Sequence, residues 1–186
     1  MSLIRFTTTH DLFEAFPAAR DDIRAKPSDD PPLVFMRKLI ESETPEDAVA
    51  VCAYMLPRRE AVWWACQCVR ALGGARSSEE EQALKAAEDW VRDPGEERRR
   101  EALRIGGEGS RNSPTSWLAL AAAWSGGNMM PPGQPAVPAP AHMTAKASRA
   151  AVLTALAAIP VKQRRERLVA CLKAVRVDDD RAAARS

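Results

Sequence analysis

The chain is short of the residues from which active sites and metal centres are usually built. Its 186 residues include two histidines, His10 and His142, one tyrosine and nine glycines, and aromatic residues make up 5%. No apolar run approaches the roughly 18 residues needed to cross a membrane. The stretch from Met1 to Thr9 lacks the basic start and long apolar core of a secretory signal. Runs of β-branched residues with period two are missing, which argues against a sheet. Four cysteines (Cys52, Cys66, Cys68 and Cys171) without such a signal point to reduced thiols and a cytoplasmic protein. These absences exclude membrane, disulfide-rich secreted and collagen-like classes. None of them names an activity.

What is present is alanine, 34 residues of it, with 46% apolar and 28% charged residues. That balance is normal for a folded domain, and the length suits one core better than two, so residues 1–186 read as a single helical domain. The net charge of +2 is unevenly spread. Residues 1–56 sum to −4, 57–76 to +3 and 77–104 to −3, while 105–145 hold only Glu108 and Arg111. Residues 146–176 reach +7, with Glu166 their one acid. This basic C-terminal stretch is the main electrostatic asymmetry.

Helix punctuation is dense. Thr44-Pro45-Glu46-Asp47, Asp93-Pro94-Gly95-Glu96 and Ser113-Pro114 each read as a cap followed by proline and, in the first two, acid in the first turn. Gly73-Gly74, Gly106-Gly107 and Gly126-Gly127 follow apolar helical runs and read as stops. Helices are expected near 9–25, with a break at Pro17, and near 32–42, 45–55, 58–72, 78–92, 94–105, 114–125, 143–158 and 161–176. The fold class is therefore all-α, an irregular bundle of α-hairpins. From Asn128 to Ala141 the chain carries five prolines and no charge. It is expected to be an extended surface strap linking the helical body to a C-terminal helical hairpin over residues 142–176. A proline-rich recognition segment is the alternative. The lack of a flanking arginine or lysine counts against it, because a charge often orients such ligands.

An internal echo has an offset of 103 residues. Met55-Leu56-Pro57-Arg58-Arg59 precedes a helix holding Cys68-Val69-Arg70-Ala71-Leu72, and Ala158-Ile159-Pro160-Val161-Lys162 precedes one holding Cys171-Leu172-Lys173-Ala174-Val175. Each unit is a helix, a proline break and a second helix. Identity is too low to separate duplication from coincidence.

The most distinctive string is Glu60-Ala-Val-Trp-Trp-Ala-Cys-Gln-Cys-Val-Arg70. At 100° per residue Ala61, Trp64, Ala65, Cys68, Val69 and Leu72 form a core stripe. Trp63 falls on another face, with Arg59, Cys66 and Arg70, where it reads either as a second buried side or as an aromatic–arginine contact patch. Cys66 and Cys68 sit about 200° apart on a helix and cannot share one metal. Gly106-Gly107-Glu108-Gly109-Ser110 lacks the lysine and the preceding strand of a phosphate loop, so it reads as a flexible connection. The 161–176 helix sets Lys162, Arg164, Arg165, Arg167, Lys173 and Arg176 around an apolar side of Val161, Leu168, Leu172 and Val175. With no aromatic residue interleaved there, single-strand stacking is disfavoured.

Leu56-Pro-Arg-Arg-Glu-Ala-Val-Trp-Trp-Ala65 and Ala123-Trp-Ser-Gly-Gly127, followed by the proline-rich stretch to Pro140-Ala-His142, resemble an uncharacterised helical family of Gram-negative bacteria over roughly residues 30–175. That resemblance implies an accessory or adaptor role linked to type VI secretion loci. It assigns no role to any residue.

Function is accordingly expected to be non-enzymatic protein binding, as an adaptor or chaperone, with no catalytic, cofactor-binding or metal residues and no cofactor. The candidate interaction residues are Arg58, Arg59, Trp63, Arg70, Arg164 and Arg165. The expected partner is a protein, an acidic one by the charge of the C-terminal stretch, with a second copy of the chain as the alternative. Neither membrane nor nucleic acid is the expected partner. The competing readings are a small helical enzyme with an unrecognised site and a basic nucleic-acid-binding protein.

Overall fold

The computed structural model describes residues 5–130 and 133–173. Within them lie nine α-helices: α1 (Thr9–Ala15), α2 (Pro32–Ile40), α3 (Asp47–Met55), α4 (Arg58–Leu72), α5 (Ser78–Arg92), α6 (Glu96–Glu108), α7 (Pro114–Ala123), α8 (Met143–Ala157) and α9 (Val161–Lys173). The described residues contain no strand. The one β-type pairing among the described residues is an isolated bridge between Asn128 and Pro138. The all-α class is therefore what the chain adopts.

Burial follows the distribution of charge. From Ala48 to Leu56 no residue is charged, and α3 is buried along its whole length, with every residue from Asp47 to Met55 inside. Its one ion, the Asp47 carboxylate, accepts the backbone N–H groups of Arg24 (2.9 Å) and Ala25 (3.2 Å). The uncharged α7 is likewise enclosed, lying against α4, α5, α6 and α8. A helix apolar all round has no face to give to water. α8 presents Ala147, Ala151 and Ala155 to the interior, small residues that admit the close approach it makes to α7 and α4. One hydrophobic core extends from Leu12 to Leu172.

Several boundaries differ from the sequence reading. The first helix stops at Ala15, and Pro17 opens a separate 3-10 turn, Pro17–Asp21, since its ring cannot continue the α-helical hydrogen-bond ladder. Thr44-Pro45-Glu46 forms a tight turn rather than a cap, its carbonyls accepting from the third residue on, and α3 starts at Asp47. Gly73 does end α4, at φ 75°. Gly106-Gly107 does not stop α6, and this stretch is no flexible connection. Both glycines are helical, and Gly106 is buried where α6 crosses α7. A Cβ on Gly106 would meet Leu120 Cγ at 2.9 Å and Ala119 Cβ at 3.1 Å. The glycine therefore serves helix contact, which outweighs its poor helix propensity.

The path of the proline-rich stretch also differs from the strap expected. It turns back on itself: Ala139 N–H donates to Gly127 O (3.1 Å) and Met129 N–H to Val137 O (2.8 Å). The chain thus leaves α7 and returns beside it as α8, the helix with which α7 packs most extensively. α9 lies against α3, α4 and α8. Of the expected 161–176 helix, residues 174–176 fall outside the described part.

Candidate interaction surfaces

Arginines donate to carbonyls in or just beyond the last turns of six helices. The last carbonyls of a helix have no intrahelical donor and carry the negative end of its dipole, so a guanidinium satisfies both needs. Arg59 Nε donates to Val91 O (2.6 Å) at the end of α5. Arg58 Nη1 donates to Ser125 O just beyond α7, and Arg99 Nη1 to Ala123 O (2.7 Å) in its last turn. Arg76 reaches Val69 O (2.8 Å) on α4, and Arg111 reaches Gly106 O (3.0 Å) on α6. Arg164 reaches Ala157 O and Ile159 O at the end of α8, each at 3.1 Å. Arg165 reaches Ile40 O (3.1 Å) at the end of α2 and pairs with Glu41.

Four of the six expected interaction residues (Arg58, Arg59, Arg164 and Arg165) are thus engaged within the molecule. Arg70 is engaged too, in a fork on Glu88 of α5 with a further bond to Glu81 (3.0 Å). Those carboxylates hold its guanidinium even more firmly protonated than usual. Trp63 is the sixth. It stands 49% exposed on α4, whereas Trp64, one residue on, is 1% exposed and donates its indole N–H to Cys171 O (3.0 Å). Arg59 and Arg70 lie along the seam where α4 meets α5, and helical spacing sets Trp63 on the same face of α4. Cys66, placed on that face by the helical wheel, is buried.

All four thiols are buried. Burial pushes Cys52 and Cys66 well above the usual thiol range, and a hydrogen bond to Cys171 together with burial raises Cys68. Cys68 Sγ approaches Cys171 O at 3.7 Å, so the two cysteines related by the 103-residue echo touch. Among the described residues no cluster of three His, Cys, Asp or Glu is close enough to hold a metal, and no helix is long and apolar enough to cross a membrane. A cleft of about 450 Å³ between α5, α6 and α7 is lined by Ser77, Glu80, Arg104, Glu108, Ser113 and Ser116. Glu80 there is turned to structural use, accepting from Ser77 N–H and from Ser113 Oγ.

Three features escape a reading of the sequence alone. One is the Arg99 cap: its side chain is 5% exposed, braced by Glu96 and laid against Gly127. The second is the neck of the proline-rich loop, where Asn128 Oδ1 accepts from Met130 N–H (3.0 Å) and Val137 N–H (2.8 Å). The third is a cluster at Asp22, whose carboxylate takes the Tyr54 hydroxyl (2.7 Å), Lys146 (3.0 Å) and Arg149 (3.4 Å). Burial and that carboxylate push the Tyr54 hydroxyl far above its ordinary range. Asn128 beside Gly127 was the one local signal, since asparagine commonly organises turns. The two strings that carried the family resemblance meet here as well, through Arg58 on Ser125 O and the nearby Gly126.

The fold and these surfaces define an all-helical domain whose strongest sequence motifs converge on the end of α7. A family profile, that of the family of unknown function DUF6931, matches residues 35–176, and the chain belongs to that family. No curated protein and no solved structure matches the chain.

Proposed function

We propose that the chain is a non-enzymatic protein-binding module that acts in the cytoplasm of a bacterium as an accessory, adaptor or chaperone subunit. The observation that carries this reading is Trp63. A large indole stands half exposed on a helix whose opposite side is fully packed, between two surface guanidiniums that α5 holds in place. Tryptophan and arginine dominate interface hot spots, and groups already fixed before binding lose little entropy on binding. The family resemblance favours a secretion-system context. The outer face of α9, with exposed Lys162, Arg167 and Lys173, would steer an acidic partner and raise its association rate.

The test is retention of a partner from the native cell on immobilised chain, compared with Trp63→Ala. A hot-spot tryptophan contributes about 2 kcal/mol or more, so retention of the same partner should fall by roughly 30-fold while the helical spectrum is kept and the melting temperature drops by only about 2–4 °C. Light scattering of the purified chain reads self-association in the same way. Undiminished retention by Trp63→Ala would remove this surface from the interface.

A further inference from the structure

We propose that residues 133–140, in the loop between α7 and α8, form a docking segment in their own right. Pro135, Val137, Pro138 and Pro140 present an uncharged, proline-rich ligand to a partner protein's groove lined by tryptophan and tyrosine. This surface is separate from Trp63, so either assignment can fail without the other.

The loop is not needed to connect its helices. α7 and α8 already lie side by side, and Ala139 N–H reaches Gly127 O at 3.1 Å, so the chain could turn at that point. The residues between are surplus to connection. Long loops without secondary structure of their own are uncommon in compact domains and usually carry function.

Its base is immobilised. Asn128 Oδ1 holds the amides of Met130 and Val137, and Met129 N–H holds Val137 O. Gly127, at φ 65°, sits under the Arg99 guanidinium, with Nε 2.8 Å from where a Cβ would be, and Arg58 of α4 holds Ser125 O. A ligand segment fixed at its base has less entropy to lose on binding.

The chemistry of the exposed side selects the partner. Residues 133–138 are exposed, Val137 at 46%, and the loop has no charge. Val137 and Ala139 turn their backbone groups inward to residues 127–129, which leaves Ala136, Pro138 and Pro140 along the outer edge. Proline has no N–H, so that edge offers one donor, on Ala136, and cannot accept an added strand. What it offers is carbonyl oxygens and pyrrolidine rings. The matching surface supplies donors and flat apolar faces, which are the indole N–H of tryptophan and the hydroxyl of tyrosine on an aromatic groove. Pro135 and Pro138 stand at the P-x-x-P spacing of such ligands. The missing flanking charge restricts the partner further, to a groove that needs no acidic residue, so binding is insensitive to salt.

The experiment is an amide-resolved NMR titration of the full chain with three purified proline-binding probes: an SH3, a WW and an EVH1 domain. At least one should give saturable shifts confined to Gly133, Gln134, Ala136, Val137 and Ala139, unchanged between low and high salt. The triple variant Pro135→Ala, Val137→Ala, Pro138→Ala should weaken that binding at least about tenfold with its melting temperature preserved. Asn128→Ala, which keeps every contacting side chain but removes two of the hydrogen bonds at the neck, should weaken it by a smaller factor. Trp63→Ala should leave it untouched. Absence of loop-localised shifts with all three probes at millimolar concentration, or binding that survives the triple substitution, would overturn the proposal.

Discussion

Two adjacent indoles on α4 show how far position alone sets a residue's energetic weight. Trp64 is enclosed and its indole N–H is spent on Cys171 O, so Trp64→Ala leaves a large cavity and a carbonyl held only by the weak Cys68 thiol contact. It should cost about 3–5 kcal/mol by chemical denaturation. Trp63→Ala, which removes a half-exposed indole, should cost much less, about 1 kcal/mol. A severe effect at Trp63 with a mild one at Trp64 would mean the helix is rotated. Glu96 is set by its neighbours in the same way. Hydrogen bonds from Arg99, helped by Arg100, hold its carboxyl down to about 2, from an ordinary value of 4.5. Because the folded value lies below the unfolded one, the stability this pairing contributes is complete above about pH 4.5. It is lost as pH falls from there towards 2. The melting temperature of the wild type should therefore fall more steeply across that window than that of Glu96→Gln. Parallel curves would show that the pairing is not coupled to folding.

At the scale of elements, the crossing of α6 on α7 depends on one missing methyl group. Gly106 and Gly107 are neighbours in one helix, and intrinsic propensity favours alanine at both by about 1 kcal/mol. At Gly107 a Cβ meets nothing within 4 Å, so Gly107→Ala should stabilise by about 0.5–1 kcal/mol. At Gly106 the Cβ would press on the Leu120 backbone and side chain and on Ala119, which have no room to move within the core. Gly106→Ala should destabilise by about 1–3 kcal/mol despite the better propensity. Equal effects at the two sites in thermal melts would refute the close approach. The arginine caps act at this scale too. Arg58, Arg59, Arg99, Arg164 and Arg165 reach the end of a helix other than their own, so each ties two elements together as well as satisfying carbonyls.

For the whole molecule, the informative boundary is the one between residues inside and outside the family match. The profile begins at residue 35, yet Leu12, Phe13, Ala19 and Ile23 belong to the same core as α3 and α8. Asp22 joins the segment to Tyr54 of α3 and to Lys146 and Arg149 of α8, and Asp47 takes two of its amides. A chain starting at residue 31 should lose a large part of its melting temperature, because it uncovers that apolar surface and strands two cations. Asp22→Asn in the full chain should cost about 2 kcal/mol. If the truncated chain melts like the whole, the segment is an appendage.

The sequence by itself determined the helical class and nearly every helix, because periodicity, prolines and caps act within a few residues of where they stand. It determined that Trp64 faces inward and that the described residues of the proline-rich stretch, 128–130 and 133–141, stay out of any helix. Only the tertiary structure decided what the arginines do. The carbonyls that Arg58, Arg59, Arg99 and Arg165 satisfy lie 24 to 125 residues away along the chain, so no local pattern tells a cap from an interface contact. Only the fold decided that Gly106 packs rather than stops and that the proline-rich stretch closes on itself. Both depend on which helices become neighbours. That is settled by burial of the uncharged faces of α3 and α7, a property of the assembled core rather than of any one segment.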